Sequence, residues 1–136
     1  GMKKYLLDTN ICIHWLRNKF DIDKKINEVG FENCCISEIT VAELKVGMEL
    51  GRRKGVKHKQ DLSSLFSVIT IIPISSAIDL YAEEKVRLRL AGTPADDDFD
   101  LLIGCSSVAE DLTLVTENIN DFKRINNIKI ENWVKR

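Results

Sequence analysis

Polar side chains that could do chemistry follow short apolar runs at four places in this sequence. They are Asp8, Glu43, Asp100, and the pair Asn118 and Asp121. Each comes directly after a run that is typical of a buried strand, or opens the helix that follows it. Because open parallel sheets bind ligands outside the carboxyl ends of their strands, we expect these side chains to meet at one rim of the sheet.

The chemistry that such a group of acids supports is divalent metal binding. Carboxylates gathered at one point raise each other's pKa values unless a cation neutralises them. Mg²⁺ and Mn²⁺ prefer oxygen ligands and keep several waters, so a few carboxylates and a substrate phosphate complete their coordination. One or two such ions hydrolyse phosphodiesters with water as the nucleophile. The acids therefore predict a Mg²⁺ or Mn²⁺ site that cleaves phosphodiester bonds without a His or Ser nucleophile.

The acids must be positioned by strands and helices, and these elements alternate along the chain. Apolar runs predict strands at residues 5–7, 34–36, 68–72 and 112–115, with a marginal one at 128–130. Helical spacing predicts helices that begin near Asn10, follow Ser37 and Thr40 as far as Gly51, and run from residue 99 to 109. This alternation predicts an α/β fold, a three-layer α/β/α sandwich with a mainly parallel central sheet.

A further helix is predicted between Pro73 and Gly92. Ser75 and Ser76 are expected to cap it, since serine is a favoured N-cap residue. Its apolar side chains recur at a spacing of four residues, as Ile78, Ala82, Val86 and Leu90. In the helix from 99 to 109, the small residues 104–107 should let the backbone lie close against the sheet.

Composition places the chain among globular proteins. Its 136 residues are 44% hydrophobic and 30% charged, which fits one domain over residues 1–136. The 20 basic and 21 acidic residues give a net charge of −1, so no global field attracts polyanions. We expect Gly1 to be a cloning remnant, and we expect neither a signal peptide nor a membrane helix, which needs about 20 apolar residues. Four cysteines without a CxxC pair favour a cytoplasmic protein.

Each acid also has an ordinary structural explanation. Asp8 can cap a helix, and Thr40-x-x-Glu43 fits a capping box in which the glutamate bonds to the backbone. The run 96–98 of three aspartates can complement a helix dipole, and residues 118–121 can form a polar turn. The occurrence of all four after consecutive strands favours the metal site over these separate explanations.

Four segments resemble the motifs of PIN domains, and in particular of the VapC ribonuclease toxins of type II toxin–antitoxin systems. They are residues 5–10 (Tyr-Leu-Leu-Asp-Thr-Asn), 36–44 (Ile-Ser-Glu-Ile-Thr-Val-Ala-Glu-Leu) with Gly47, 99–104 (Phe-Asp-Leu-Leu-Ile-Gly) and 114–122 (Leu-Val-Thr-Glu-Asn-Ile-Asn-Asp-Phe). The resemblance spans nearly the whole chain, and the motifs occur in the family's order. Any one motif alone would be weak evidence for the family, but the four together are strong evidence.

The resemblance implies catalytic, metal-binding roles for Asp8, Glu43 and Asp100. Some relatives carry Asp at the position of Asn118, whereas VapC-like proteins often have Asn there and an acid three residues later. We therefore expect Asp121 to be the fourth acid and Asn118 to be a neutral residue that orients a water or a phosphate. Because three aspartates at 96–98 precede Asp100, the metal ligand of this motif could instead lie two residues earlier. Hydroxyls from Thr9 and Thr116 are expected nearby.

The same resemblance implies a Mg²⁺- or Mn²⁺-dependent endoribonuclease with RNA as its substrate. It also implies a homodimer and a cognate antitoxin protein whose C-terminal segment lies over the site. A basic cluster could contact RNA phosphates or form a solvated connector. It consists of Arg52, Arg53, Lys54, Lys57 and Lys59.

Two other functions remain as alternatives. The first is a non-catalytic binding module with a PIN fold, which the retained acids argue against. The second is a phosphoryl-transfer domain of the haloacid-dehalogenase type, which also places an Asp after its first strand. That class usually needs a second Asp two residues later, where this chain has Asn10.

Overall fold

The computed structural model describes residues 3–56 and 62–136, and within them a five-stranded parallel sheet is enclosed by helices. The strands are β1 (Tyr5–Leu7), β2 (Cys34–Ser37), β3 (Thr70–Ile72), β4 (Thr113–Val115) and β5 (Lys129–Glu131). Their order across the sheet is β3-β2-β1-β4-β5, and every neighbouring pair is parallel. The predicted α/β class is confirmed, including the marginal last strand.

Helices connect the strands, as parallel pairing requires. They are α1 (Thr9–Leu16), α2 (Ile22–Val29), α3 (Glu38–Arg53), α4 (Leu62–Val68), α5 (Ile78–Leu90), α6 (Asp98–Ala109) and α7 (Ile119–Phe122). None of the described helices is long and apolar enough to cross a membrane. Helices α2 and α4 were not predicted from the sequence, and α3 continues beyond Gly51 to Arg53.

Both faces of the sheet are buried, which explains the continuous apolar strands. Successive side chains of a strand point to opposite faces, so Leu7, Ile36 and Val115 join the core on one side. Leu6 and Leu114 join the core on the other side. Each core is completed by helices, which confirms the three-layer arrangement.

The strand order creates a switch point between β1 and β4. From β1 the chain moves outward through β2 to β3, and then returns to the other side of β1 with β4. Val115 O accepts a 2.9 Å hydrogen bond from Asp8 N, so the pairing of these two strands continues to their carboxyl ends. The crevice at such a switch point is where open α/β sheets bind ligands.

Two details on either side of β3 differ from the sequence prediction. The strand expected over 68–72 begins only at Thr70, because Val68 belongs to the last turn of α4. Ser75 and Ser76 do not cap α5, because they lie in a 3₁₀ turn that precedes it and α5 has no side-chain cap. Ser76 instead donates a 2.7 Å hydrogen bond to Glu110, which joins this turn to the end of α6.

The apolar stripe of α5 faces solvent rather than the core. Ile78, Val86 and Leu90 are 49%, 51% and 82% exposed. The helix packs instead through Leu88 and through Glu84, whose buried carboxylate accepts two hydrogen bonds from Arg87. Periodicity identified the helix correctly but could not identify which of its faces is buried.

Candidate metal centre

Asp8 begins α1 and also lies at the centre of the candidate site. Its backbone is extended, as in an N-cap residue, and its Oδ1 accepts a 2.8 Å hydrogen bond from the backbone N–H of Thr9. The residue is 4% exposed, at the carboxyl end of β1. Helix capping and membership of the acidic group are therefore two roles of one side chain rather than alternatives.

Thr116 connects the two strands at the switch point. This fully buried residue donates its hydroxyl to Asp8 Oδ2 at 2.8 Å. The Thr116 hydroxyl oxygen also accepts hydrogen bonds from the Asn10 side-chain amide at 3.3 Å and from the backbone N–H of Asn118 at 3.0 Å. One donated and two accepted bonds saturate a hydroxyl, so Thr116 holds Asp8 in a fixed position.

Glu43 reaches the site from the second turn of α3. The helix begins at Glu38, with Ser37 as its N-cap accepting a 3.0 Å bond from Ile39 N, so Thr40 and Glu43 do not form a capping box. Glu43 Oε1 instead accepts a 2.6 Å hydrogen bond from the Thr9 hydroxyl. The Thr40 hydroxyl lies 3.0 Å from that of Thr9 and completes a short chain between α1 and α3.

Asp100 lies in the first turn of α6, and its neighbours are engaged elsewhere. Asp97 is the N-cap of this helix and accepts hydrogen bonds from Phe99 N at 2.7 Å and Asp100 N at 3.3 Å. Asp98 pairs with Lys85 Nζ at 2.6 Å. These two acids have structural roles, which favours Asp100 over an assignment shifted by two residues.

Asp121 is brought to the site by a close contact between α6 and α7. A Cβ added at Gly104 would lie 2.3 Å from Ile125 and 3.2 Å from Phe122, so these side chains pack where a larger residue would stand. The sequence predicted that the small residues 104–107 would lie close against the sheet. At Gly104 the close approach is instead to α7 and the residues that follow it. The buried Phe122 fixes α7, and Asp121 beside it is exposed.

Electrostatic coupling shows that these acids converge. The pKa of Asp8 is raised to about 6, first by burial and further by the charges of Glu43 and Asp121, against the hydrogen bond from Thr116. The pKa of Asp100 is raised to about 7, first by burial and then by nearby carboxylates, which include Asp8, Asp121 and Glu43. Carboxylates from four separate elements therefore act on one another.

The donors fit a hard divalent cation that keeps part of its water shell. Among the described residues, no three acidic, histidine or cysteine side chains are already arranged around one point as direct metal ligands. Mg²⁺ needs only one or two direct carboxylates together with waters and substrate phosphate. The all-oxygen chemistry of the group and the raised pKa values of Asp8 and Asp100 are the features that a divalent cation would satisfy.

A cavity of about 280 Å³ opens beside the acidic group, and both Asp100 and Asp121 line it. Arg124, three residues after Asp121, also lines this cavity. Arg124 was not predicted from the sequence, because an isolated arginine in a loop belongs to none of the four motifs. Asn10 was likewise missed as a partner of Thr116, although it lies within the first motif.

The basic cluster is only partly a connector. Arg52 and Arg53 belong to the last turn of α3, and both pair with Glu49. Lys54 follows as the C-cap residue of the helix. Lys57 and Lys59 lie outside the described residues. Arg52 is nine residues from Glu43, about 14 Å along the helix axis, so this arginine lies beside the acidic group rather than within it.

The similarity of this chain to known proteins extends over nearly its whole length. The family model of the PIN domain matches residues 5–128. Ribonuclease VapC2 of Rickettsia felis is 34% identical over 96% of this chain and 98% of its own length. The tRNA(fMet)-specific endonuclease VapC of Salmonella typhimurium is 29% identical over 97% of this chain and 99% of its own length.

The fold also has solved counterparts. One is the crystal structure of VapBC2 from Rickettsia felis bound to a DNA fragment from their promoter. It superposes with a TM-score of 0.80 at 34% identity, covering 95% of this chain and 98% of the other. The match therefore extends over the helices and strands that carry all four acids.

Proposed function

Because this chain belongs to the PIN-domain family, we propose that it is a metal-dependent endoribonuclease and the toxin of a VapBC-type toxin–antitoxin pair. The observation that carries the proposal is the gathering of acids from four elements at the carboxyl end of β1, where burial first and neighbouring carboxylates second raise the pKa values of Asp8 and Asp100. Such a group is costly to keep ionised without a cation. Full-length similarity to Ribonuclease VapC2 supports RNA as the substrate.

Asp8, Glu43, Asp100 and Asp121 would hold one or two Mg²⁺ or Mn²⁺ ions. When bound, the metal lowers the pKa of a water and neutralises charge on the phosphate and the leaving oxygen. Thr116 and Thr9 orient Asp8 and Glu43 through the hydrogen bonds described above. Asn118 would orient a water or a phosphate oxygen, since it is exposed, donates its backbone N–H to Thr116 and accepts a hydrogen bond from Asp121 N.

A cognate antitoxin protein and a homodimer are part of the proposal. The solved relative from Rickettsia felis is a VapBC complex, which supports the antitoxin. The exposed apolar stripe of α5 provides surface that association could bury, and single-sided apolar patches of this kind often mark protein contacts. Light scattering of the purified chain, alone and with its antitoxin, tests both parts. A mass of one chain at micromolar concentration contradicts the homodimer.

The test of the nuclease is cleavage of transfer, ribosomal and messenger RNA with Mg²⁺, with Mn²⁺ and with a chelator. We expect cuts that need the metal and that disappear in Asp8→Asn and Asp100→Asn. Asparagine keeps the volume of the side chain and is a good N-cap, so Asp8→Asn should preserve α1. Circular dichroism confirms folding of both variants. Cleavage that survives both substitutions, or cleavage unaffected by chelation, contradicts the proposal.

A further inference from the structure

The cavity beside Asp100 and Asp121 has an apolar side that the metal chemistry does not require. Leu88, Leu101 and Ile125 line it. Leu88 and Leu101 are each 3% exposed and Ile125 is 4% exposed, so they form a fixed wall of the core rather than mobile surface side chains. An apolar wall next to carboxylates suits a ligand with one flat apolar face and one polar edge.

Arg124 contributes a guanidinium to the same cavity. Its Nη1 donates a 3.0 Å hydrogen bond to Thr93 O, and its own carbonyl accepts a 2.7 Å bond from Arg87 Nη2. Both contacts fix the position of Arg124 between the loop that precedes α6 and the end of α5. Among the described residues, no carboxylate lies within ion-pair distance of Arg124, although Asp96 lines the same cavity. Arginine has five N–H donors, so several remain for a ligand.

The charges around the cavity favour a nucleobase over a phosphate. Asp96, Asp97, Asp100 and Asp121 line it and repel an anion. A neutral base can lie on the leucine and isoleucine side chains, and unpaired RNA bases commonly stack on arginine guanidinium groups or bond to them. Asp96, which is not among the proposed metal ligands, can accept hydrogen bonds from the amino or imino groups of the same base.

We propose that this cavity is a subsite for one unpaired base of the RNA, next to the phosphodiester that is cut, with Arg124 as its polar contact. The inference rests on the proposed nuclease function, which places that phosphodiester at Asp100 and Asp121. A base in this position must leave its helix, so cleavage is confined to loops and other single-stranded segments. Arg124 is then a specificity-determining residue, separate from the metal-binding acids.

The experiment combines an altered RNA with altered protein. A short RNA with one mapped cleavage position is prepared intact and with an abasic nucleotide at each position flanking the cut. For the wild-type protein we expect one of these substitutions to slow cleavage about 10-fold, because the abasic nucleotide loses its hydrogen bonds to a charged group as well as its apolar contact. In Arg124→Gln the intact RNA should be cut more slowly and the abasic penalty should shrink, which is the signature of coupling in a double-mutant cycle.

Two further variants distinguish loss of base binding in the cavity from a general effect of changing the segment after α7. Ala95 lines the cavity, so Ala95→Leu should fill it and reduce the abasic penalty without removing any charge. Lys123→Gln removes one charge next to Arg124 but outside the cavity, and serves as the matched control. An abasic penalty that is equal in wild type, Arg124→Gln and Ala95→Leu overturns the subsite and leaves the nuclease standing.

Binding measured by fluorescence anisotropy without metal provides the second readout. Tighter binding of the intact RNA than of the abasic RNA, lost in Arg124→Gln, supports the subsite. If no RNA is cut, an RNA with an abasic nucleotide at each loop position in turn is used instead, and the same binding result then leaves only the nuclease proposal contradicted. Cleavage and RNA binding that are unchanged in Arg124→Gln, together with weaker binding of the antitoxin, assign the cavity to a protein partner and overturn the inference.

Discussion

The Thr116 hydroxyl donates a 2.8 Å hydrogen bond to Asp8 Oδ2 and so joins the ends of two adjacent strands that are 108 residues apart in sequence. This bond lies in a fully buried position, where a lost partner leaves polar groups unsatisfied. The site therefore depends on a residue that does not itself belong to the four acids.

The first prediction concerns this hydroxyl. Thr116→Val keeps the shape of the side chain but removes the donor to Asp8 and the acceptor for Asn10 and Asn118. Loss of such an outer hydrogen bond typically lowers metal affinity or activity 10-fold to 100-fold. We expect a loss of that size in Mg²⁺ affinity, measured by calorimetry, and in the cleavage rate. Thr116→Ser retains the hydroxyl and should restore most of both. Equal activity of the Val and Ser variants contradicts the positioning role.

The second prediction concerns pH and uses Asp100, whose pKa is raised to about 7. The folded chain binds this proton more tightly than the unfolded chain does, so the contribution to stability is complete below about pH 4 and is lost as the pH rises through 7. In a chelator, Asp100→Asn should have nearly the wild-type Tm at pH 4 and a higher Tm than wild type at pH 8. Excess Mg²⁺ should remove this advantage by stabilising the wild type.

The control for that measurement is Asp98, whose pKa is lowered by hydrogen bonds from Lys85 and Tyr81. Its contribution has the opposite sign, because it is present at neutral pH and lost on acidification. Asp98→Asn should therefore never raise the Tm at pH 8. A Tm difference between Asp100→Asn and wild type that does not change from pH 4 to pH 8 contradicts the coupling of the acids.

The third prediction compares two glycines within helices. A Cβ at Gly104 meets Ile125 and Phe122, whereas a Cβ at Gly47 meets nothing within 4 Å. Gly104→Ala should destabilise the protein by about 1–3 kcal/mol through overpacking, and should also slow cleavage because Asp121 moves with Phe122. Gly47→Ala should stabilise the helix by about 0.5–1 kcal/mol. Urea unfolding measures both, and a stable Gly104→Ala variant would contradict the close packing of α7.

The fourth prediction concerns the basic end of α3. If Arg52 and Arg53 contact RNA phosphates, replacing both by Gln should weaken RNA binding and flatten its dependence on salt. For single-stranded RNA the slope of log affinity against log salt should fall by about 1.4 for two lost contacts. Anisotropy titrations at several salt concentrations measure this. An unchanged slope shows that the two arginines serve only their pairs with Glu49.

The sequence was sufficient for much of the fold because its strands are short, apolar and followed by acids. The strand ending at Leu7 and the helix after Asp8 are local features, and local rules predict them. The face that α5 buries is a tertiary property, so the stripe containing Val86 and Leu90 was expected in the core and lies in solvent. Ser76 failed as a cap for a similar reason, since its partner Glu110 belongs to another helix.

The sequence predicted the acids of the candidate site, but it predicted only some of the residues that surround them. Asp8, Glu43 and Asp100 follow strands or open helices, which sequence patterns can identify. Arg124 depends on how the chain after α7 turns back over the loop that contains Thr93. No local spacing encodes that contact, so only the structure could place this residue beside the acids.

The order of the strands has a consequence for the timing of synthesis. Asp8 is synthesised well before the hydroxyl that holds it and before the neighbouring Asp121. A growing chain that stops short of β4 can neither complete the centre of its sheet nor bring these groups together. The proposed nuclease should therefore acquire its activity only after β4 and α7 have been synthesised.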